Sequence, residues 1–374
     1  MKRVIQQPRT DWRERVENLG LSYHTIDGDI YWDETASYQF VSSQIAQLEK
    51  VTRDLQAMSV TAAERAIREN WRSRMGITEA AWKEIVDSWE RDDLSLYGRF
   101  DLIWDGTSDP KMLEYNADTP TGLLEASVVQ WQWKEEVCPN DDQFNSIHEL
   151  LLASWPAWES DTFHFCAQRE AEEDWRTVIY LMDTCRQSGK TTFDFAIEDL
   201  GWKDAAQCFV DDEDRTFSRL FKLYPWEWMW TESFSQHLPG RCDRFVEPVW
   251  KMLWSNKAFL VLMWETFEGH PNLLKADFHP MMLGGSYAAK PFFGREGSNV
   301  KLVERGNVIQ ATEGPWGDQP MVYQDLHPEV SFAGNHPVIG SWVVGGEPGG
   351  IGIREDQGRV TANGSRFVPH SFRS

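Results

Sequence analysis

The sequence predicts a mixed fold with α+β and α/β character, and three observations lead to this class. Apolar residues recur at three- and four-residue intervals over residues 36–70 and 79–90, which predicts two helices. Residues 160–250 alternate strand-like and helix-like runs in a β-α-β order, which favours a small parallel sheet. Between residues 251 and 374, glycine-rich turns separate short strand-like runs, a pattern typical of antiparallel sheet.

These changes of pattern also indicate how the chain is organised. Residues 1–95 are expected to form an N-terminal helical segment. Residues 96–374 are expected to form one closely packed unit, because no low-complexity linker separates its parts. Within that unit we distinguish a hairpin at 98–118, an α/β region at 160–250 and a glycine-rich sheet at 251–374. A chain of 374 residues can bury a core that needs no disulfide or structural metal.

The remaining elements follow from shorter patterns. A helix is expected at 121–136, just after the hairpin. In the α/β region, strands at 162–167 and 192–197 flank a helix at 172–186, and a further strand is expected at 217–223. The glycine-rich part contains five expected strands, at 286–293, 298–304, 320–324, 338–344 and 350–354.

The expected hairpin brings several polar side chains to one face. A turn centred between positions 107 and 108 places Asp101 opposite Glu114 and Arg99 opposite Asn116, and strand alternation adds Met112 to that side. Facing carboxylates repel each other, so a compensating cation is expected, and Mg²⁺ prefers carboxylate and amide oxygens. The alternative interpretation is a solvated strand face with a surface Arg–Asp pair.

Two lysines and a glycine-rich turn indicate phosphate binding. Lys290 precedes the turn at 294–298, and Lys257 begins a helix about thirty residues earlier. Glycines let backbone N–H groups approach phosphates, and lysines supply positive charge. Either lysine alone would more often be a surface charge, and it is the two together with the glycine-rich turn that favour a nucleotide. Residues 320–327 are a candidate hinge for an adenine edge, and Arg354 ends a late strand.

Composition excludes several classes of protein. A net charge of −22 argues against nucleic acid, which needs a basic footprint. The twenty tryptophans are expected in the core and at domain seams rather than in a sugar-binding cleft, although they leave a glycoside hydrolase open as an alternative. Neither a signal peptide nor a membrane span is evident, so cytoplasmic localisation without membrane partners is expected.

Familiar catalytic motifs are also missing. The sequence has no GxSxG elbow, HExxH helix, GxGxxG fingerprint or CxxC pair. Residues 188–191 read Ser-Gly-Lys-Thr, like the end of a P-loop, but Thr184 replaces the leading glycine and the segment follows a helix instead of opening one. We interpret Gly189 as a helix C-cap.

Six short motifs point to one known family. They are Arg99-x-Asp101, Glu114-x-Asn116-Ala117-Asp118, Tyr224-Pro225-Trp226-Glu227, Asn256-Lys257, Lys290-Pro291 and Gly352-Ile353-Arg354-Glu355. Together they resemble the synthetase part of the glutathionylspermidine synthase family, in particular its stand-alone bacterial acid–amine ligases. The resemblance runs from about residue 10 to the C-terminus. It implies an ATP-grasp fold in permuted order, with a pre-ATP-grasp-like α/β region.

The resemblance also implies roles for individual residues. Asp101, Glu114 and Asn116 would bind Mg²⁺, as two ions, while Arg99 would stabilise the transferring phosphoryl group and Arg354 would be a further catalytic arginine. Thr119 and Thr121 would hold the acid substrate. The family's synthase has serines at those two positions, which leaves glutathione as substrate open. ATP contacts are implied for Arg99, Phe100, Asp101, Lys257, Lys290, Gly297, Gln324, Asp325, Leu326, His327 and Thr361.

The expected activity is therefore ATP- and Mg²⁺-dependent ligation of an acid to an amine through an acyl phosphate, with ADP as product. The partners would be small molecules, a glutathione-like peptide and a polyamine-like amine. The amidase activity of the bifunctional synthase is not expected, because no cysteine amidase domain is recognisable. A non-catalytic nucleotide-binding or regulatory protein that keeps the fold is the alternative from another class.

Overall fold

Three β-sheets of four or five strands, covered by helices, organise the computed structural model, which describes residues 1–373. One of these sheets is parallel and the other two are antiparallel. This combination confirms the mixed α/β class that the sequence predicts.

The parallel sheet lies in the expected α/β region. Its strands stand in the spatial order Phe245–Val246, Leu220–Leu223, Thr162–Ala167 and Thr191–Ala196, and the helix Glu172–Gln187 packs against it. Its central strands are buried along almost their whole length because the sheet is covered on both faces. The β-α-β prediction is thus confirmed to within a residue or two for its first three elements, while the strand expected at 217–223 begins only at Leu220.

The helix C-cap interpretation of Gly189 is also confirmed. The helix ends at Gln187, Gly189 has a φ of +89°, and its N–H donates to the carbonyl of Arg186. A left-handed residue just after the last helical turn is the common way to end a helix.

The second sheet contains the hairpin, and we call it the site sheet. Its order is Arg366–Val368, Glu347–Asp356, His336–Val344, Tyr97–Ile103 and Lys111–Asn116. The two strands expected at 338–344 and 350–354 therefore belong to this sheet and not to a single glycine-rich sheet over 251–374.

The register of the hairpin is confirmed near the polar residues and wrong beyond them. Asp101 pairs with Glu114 and Arg99 with Asn116, as predicted. A β-bulge after Asp101 then shifts the pairing, so that Leu102 faces Met112. Met112 consequently turns into the core, contrary to the prediction, and Leu113 joins Glu114 on the other face.

The third sheet carries Lys290, and we call it the lysine sheet. Its order is Ala276–Asp277, Met321–Asp325, Tyr287–Pro291, Lys301–Glu304 and Asn307–Ala311. The strand Asn307–Ala311 was not predicted, because it is an exposed edge strand whose polar and apolar residues do not alternate regularly.

The N-terminal segment is only partly helical. The helix Glu79–Glu90 is confirmed, but the helix expected at 36–70 begins at Ser42 and ends at Arg68. The preceding Ala36–Val41 is a strand, with Tyr38 and Phe40 buried, and it pairs with Lys2–Ile5 and His370–Arg373. The first and last parts of the described chain therefore share one small sheet.

Shorter elements connect these layers. The helix expected at 121–136 contains a π-helical turn, Glu125–Val129, followed by Gln130–Val137. The other α-helices are Trp12–Asn18, Ile147–Ser154, Trp226–Met229, Met252–Ser255 and Phe259–Thr266. Two small hairpins are formed by Thr25–Ile26 with Asp29–Ile30 and by Gly201–Lys203 with Cys208–Val210. Short 3₁₀ turns lie at Trp155–Ala157, Ile197–Asp199, Ser233–His237, Cys242–Arg244, Val249–Lys251 and Pro280–Leu283.

The core is rich in tryptophan, as predicted. Trp104, Trp226 and Trp342 are each at most 1% exposed and lie in large apolar clusters, where their rings supply much of the buried area. Among residues 1–373, no helix is both long and apolar enough to cross a membrane.

Candidate functional site

A cavity of about 280 Å³ lies where the three sheets meet. The site sheet contributes the hairpin, the lysine sheet contributes Lys290 and its glycine-rich turn, and the parallel sheet contributes the ends of two strands at Gln168 and Leu223. Ligands of open α/β sheets bind outside the carboxyl ends of the strands, and the cavity has that position relative to the parallel sheet.

The hairpin presents its four polar side chains to the cavity as one connected group. Arg99 donates from Nε to Asp101 Oδ1 over 2.7 Å and from Nη1 to the carbonyl of Thr121 over 2.7 Å. Asn116 Nδ2 donates to Asp101 Oδ2 over 3.0 Å and to Glu114 Oε1 over 3.2 Å. The solvated-face alternative therefore does not hold, since Arg99 and Asp101 are only 13% and 15% exposed.

The donor atoms in this group suit Mg²⁺. Asp101 and Glu114 offer carboxylate oxygens, and hard cations of this kind take oxygen ligands and keep places for phosphate. The Asn116 amide turns its nitrogen toward both carboxylates, so its oxygen would reach a shared cation only after the amide rotates. Within residues 1–373 no cluster of three His, Cys, Asp or Glu side chains could hold a metal. A metal site here would therefore depend on Asn116 as its third protein ligand.

Two lysines, the buried Lys290 and the largely buried Lys257, balance the carboxylates. Lys257 Nζ lies 3.1 Å from Glu114 Oε2 and also donates to the carbonyl of Gly294 over 2.6 Å. Lys290 Nζ donates to Gln324 Oε1 and to the carbonyl of Leu113, each over 2.9 Å. Burial alone would raise the pKa of Glu114, but Lys257 and Lys290 outweigh it and hold that pKa at about 2.

Lys290 gives the site a pH dependence that can be measured. Burial lowers the pKa of its ammonium group to about 8, although Glu114 opposes the shift. Because a nucleotide's phosphates favour the charged form, we expect binding to take up a proton and to weaken as the pH rises from about 7 to about 9.5. Calorimetric titration with Mg-ATP in two buffers of different ionisation enthalpy measures both effects.

Lys290→Arg is the matched control for this pH dependence, because a guanidinium stays charged over the whole range. Its affinity for Mg-ATP is expected to be nearly independent of pH. A wild-type affinity that stays flat across the range would contradict the assignment.

The glycine-rich turn forms a roof over the cavity with a second loop, residues 357–364. Gly297 has a φ of +67°, and a Cβ atom there would lie 2.3 Å from the carbonyl oxygen of Thr361. Only glycine allows both the left-handed backbone and this approach.

Gly297→Ala is expected to raise the KM for ATP about tenfold or more, because the clash forces the two loops apart; tenfold corresponds to about 1.4 kcal/mol. Steady-state kinetics of ADP formation measure this effect. Gly284→Ala is a close control, since Gly284 has a φ of +60° but no atom within 4 Å of the place that an added methyl group would take. An equal rise of the KM for ATP in Gly297→Ala and Gly284→Ala would show that backbone strain, and not the clash with the carbonyl oxygen of Thr361, is responsible.

The predicted site residues come together around the cavity with one exception. Phe100 is fully buried on the opposite face of its strand, where its ring stacks on Tyr115, so its side chain does not reach the cavity. Successive side chains of a strand point to opposite faces, so Phe100 points away from the face that carries Arg99 and Asp101. The predicted residues that line the cavity are Arg99, Asp101, Glu114, Asn116, Thr119, Thr121, Lys257, Lys290, Gly297, Gln324, Asp325, Leu326, His327, Arg354 and Thr361.

The two threonines and Arg354 have distinct surroundings. The Thr119 hydroxyl accepts a hydrogen bond from Arg295, whereas Thr121 contacts Arg99 through its carbonyl. Arg354 Nη2 donates to the carbonyls of Ala362 and Asn363, and no carboxylate in the described chain forms an ion pair with it. Its positive charge therefore remains available to an anion in the cavity.

Sequence reasoning missed Arg295, which lines the cavity from within the glycine-rich turn. It donates to Glu227 Oε1 over 2.5 Å and to Thr119 Oγ1 over 2.8 Å, and its guanidinium carbon lies 5.5 Å from the centre of the Trp228 ring. The signal was present, because Arg295 interrupts the turn Gly294-Arg295-Glu296-Gly297. Its partners are distant in sequence, so its role could not be derived from that signal alone.

The net charge led us to expect an acidic cleft for a cationic amine, but sequence reasoning missed the residues of the acidic wall, which are Glu173, Asp174 and Glu296. All three side chains line the cavity, and within residues 1–373 none of them has a hydrogen-bond or ion-pair partner. Burial, reinforced by Glu173 and Glu296, raises the pKa of Asp174 to about 7. Burial and Glu173 also raise the pKa of Glu296. A cationic ligand would relieve this repulsion.

Two lysines beside a hairpin of carboxylates, facing an acidic wall across one cavity, are compatible with the chemistry of an ATP-dependent ligase. The comparison with known families agrees: the family described as "Glutathionylspermidine synthase preATP-grasp" matches residues 3–373. The chain belongs to the glutathionylspermidine synthase family.

Individual relatives support the same class. A protein of Haemophilus influenzae named "Putative acid--amine ligase" is 40% identical over the full length of both chains. The trypanothione synthetase of Crithidia fasciculata is 26% identical and matches 78% of this chain and 49% of its own length. The bifunctional glutathionylspermidine synthetase/amidase of Escherichia coli is 26% identical and matches 96% of this chain and 63% of its own. The enzymes of this family are ATP-dependent ligases that form amide bonds, so the chain is an enzyme of that class.

A solved structure supports the fold. The glutathione synthetase-like effector GSS30 of Globodera pallida, in its apo form, superposes with a TM-score of 0.60 over 98% of both chains, at 10% sequence identity. The chain therefore shares the mixed α/β architecture of a glutathione synthetase-like protein.

Proposed function

We propose that this protein is an ADP-forming carboxylate–amine ligase of ATP-grasp type, which works through an acyl phosphate on a peptide-like acid and a cationic amine. The observation that carries the proposal is one cavity lined by two chemically different groups of side chains. One group is Lys257, Lys290 and the hairpin carboxylates, and the other is Thr119 with the acidic wall.

The first step would transfer the γ-phosphoryl group of ATP to the acid. A carboxylate oxygen attacks the γ-phosphorus, the bond to the β-phosphate oxygen breaks, and ADP leaves. Lys257 and Lys290 would neutralise the phosphates, and Arg99 would stabilise the charge that spreads over the transferring group. Asp101, Glu114 and Asn116 would hold Mg²⁺, which when bound adds positive charge at the phosphates.

The second step would form the amide. The amine nitrogen attacks the acyl carbon, inorganic phosphate leaves, and the nitrogen releases a proton. The roof over the cavity would exclude water, which would otherwise hydrolyse the acyl phosphate. The acidic wall supports a cationic amine, since unpaired carboxylates with raised pKa values gain most from a nearby ammonium group.

The test is ADP and phosphate release from Mg-ATP in a matrix of acids and amines that includes glutathione and spermidine. We expect release that requires an acid, is strongest with an acid and a polyamine-like amine together, and yields a product of the summed mass less water. Hydroxylamine in place of the amine should trap the acyl phosphate as a hydroxamate.

The outcomes separate the proposal from its alternative. Tight Mg-ATP binding with no turnover for any pair would favour a non-catalytic nucleotide-binding protein. Hydroxamate formation without amide formation would support the acyl-phosphate intermediate. It would contradict the proposal that the second substrate is a polyamine-like amine.

A further inference from the structure

We infer that the buried ion pair between Asp118 and Lys222 positions the loop of residues 117–121, which we call the acid loop, for binding of the acid substrate. This inference rests on the proposed ligase function and adds two positioning residues to it. Neither side chain lines the cavity, so both residues would act on the substrate through the acid loop.

The acid loop carries the two threonines that we propose to hold the acid. Thr119 and Thr121 both line the cavity, and the carbonyl of Thr121 accepts a hydrogen bond from Arg99 over 2.7 Å. The loop follows the strand Lys111–Asn116 and has no helical or strand structure of its own. Contacts with other parts of the chain must therefore fix the place of the two threonines.

Asp118 attaches the acid loop to the parallel sheet. Its Oδ1 atom accepts a hydrogen bond from Lys222 Nζ over 2.6 Å, and its Oδ2 atom accepts one from the backbone N–H of Trp226 over 2.9 Å. Lys222 lies on the strand Leu220–Leu223 of that sheet, and Trp226 begins the short helix just after the strand. Both oxygens of the carboxylate are therefore held by one segment of the chain.

A second contact holds the acid loop at Pro120. The hydroxyl of Tyr97 donates to the carbonyl of Pro120 over 3.1 Å, and the backbone N–H of Tyr97 donates to Glu247 Oε1 over 3.0 Å. The carbonyl of Glu247 accepts a hydrogen bond from Trp226 Nε1 over 3.0 Å. Trp226 thus joins this contact to those of Asp118, and the acid loop is held at two points by one buried network.

Stability alone does not account for the buried pair. The side chains of Asp118 and Lys222 are 1% and 0% exposed, and the cost of removing two charges from water offsets most of their attraction. Apolar side chains of similar size often stabilise a fold equally well or better. An ion pair with directional hydrogen bonds differs from apolar packing because it selects one geometry. The buried pair therefore fits the task of holding the acid loop in one position.

Three variants test the inference: Lys222→Met, Asp118→Asn and the two changes together. Each single change leaves one buried charge without its partner, so the melting temperature should fall strongly, whereas the double variant has no unpaired charge and should regain most of it. If the pair positions the acid loop, kcat/KM for the acid should fall about tenfold in all three variants, which corresponds to about 1.4 kcal/mol. The KM for ATP should stay unchanged, since Lys257 and Lys290 are held by other parts of the chain. The acid is glutathione, or whichever acid of the matrix supports ADP release, with hydroxylamine as the amine.

Asp211→Asn is the matched control for loss of a buried carboxylate. Asp211 accepts hydrogen bonds from His164 on the parallel sheet and from Arg215, its side chain is 0% exposed, and it does not line the cavity. The change should lower the melting temperature and leave kcat/KM for the acid at the wild-type value. An equal loss of kcat/KM in this control would overturn the inference, because general destabilisation would then explain the effect.

Hydrogen exchange without any ligand provides a readout that does not depend on turnover. The amide of Trp226, which donates to Asp118, should exchange about tenfold faster in the three variants and at the wild-type rate in Asp211→Asn. A double variant that regains both its melting temperature and its kcat/KM for the acid, a parallel rise in the KM for ATP, or unchanged exchange would overturn the inference. If the wild type turns over no acid, the proposed function fails, and the exchange of Trp226 still decides whether the pair holds the loop.

Discussion

Asp101→Asn is expected to lower ATP turnover by about 10³-fold, the scale of losing one strong electrostatic contact in an active site. Asp101 connects Arg99 to Asn116 and is one of only two carboxylates in the hairpin group. Asparagine has nearly the same shape, so the strand pairing to Glu114 and the fold should survive. The loss would come from the missing charge, which is needed both to bind a divalent cation and to orient the guanidinium.

The measurement is ADP release under saturating Mg-ATP, together with a thermal melt of each variant. Asp109→Asn is a matched control, because Asp109 is an exposed aspartate in the turn of the same hairpin and lies outside the cavity. Near wild-type turnover in Asp101→Asn would contradict the metal assignment. A similar loss of turnover in Asp109→Asn would show that the effect comes from disturbing the hairpin and not from the Asp101 carboxylate.

Local pattern predicted the part of the site that lies on one hairpin. The pairing of Asp101 with Glu114 follows from a symmetric turn, and strand alternation then orients both side chains. The same reasoning was wrong for Met112, because a single extra residue in one strand reverses every side chain beyond it. Bulges of this kind depend on the packing of neighbouring strands and leave little trace in composition.

Long-range contacts set the limit of prediction. Arg295 and Glu227 are 68 residues apart in the chain, and their contact exists only because the lysine sheet meets the parallel sheet. The strand Ala36–Val41 is a different case, because Ala36, Tyr38 and Phe40 alternate as in a strand and this local signal was overlooked. The run joins directly onto the helix Ser42–Arg68, so only its pairing with His370–Arg373, near the other end of the chain, separates the two elements clearly.

The charges of the site also suggest how it is kept stable without ligand. Glu114 lies beside Lys257, and Asp101 beside Arg99, so each carboxylate of the hairpin already has a cation. Removing one partner of such a buried ion pair strongly destabilises the fold, because the other charge then stays buried without compensation. We therefore expect substitutions that keep shape to be more informative than truncation to alanine.

Arg99→Lys is expected to reduce turnover by about 10²- to 10³-fold while the affinity for Mg-ATP changes little. The guanidinium spans Asp101 on one side and the Thr121 carbonyl on the other, and a single ammonium cannot reach both. Burial alone would lower the pKa of Arg99, but Asp101 outweighs it and holds that pKa above its usual value, so the native side chain stays charged at every accessible pH. Lysine at this position keeps the positive charge but cannot contact Asp101 and the Thr121 carbonyl at the same time.

A kinetic split distinguishes this role from simple binding. Turnover is followed by ADP release, and affinity by calorimetry with a non-hydrolysable ATP analogue. Arg53→Ala, on the exposed face of the helix Ser42–Arg68, controls for general loss of an arginine. If Arg99 mainly anchors ATP, affinity and turnover will fall together; if it stabilises the transferring phosphoryl group, turnover alone will fall. Partial recovery of Arg99→Ala by added guanidinium would assign the effect to the side chain itself, because the backbone and its pairing with Asn116 are the same in both proteins.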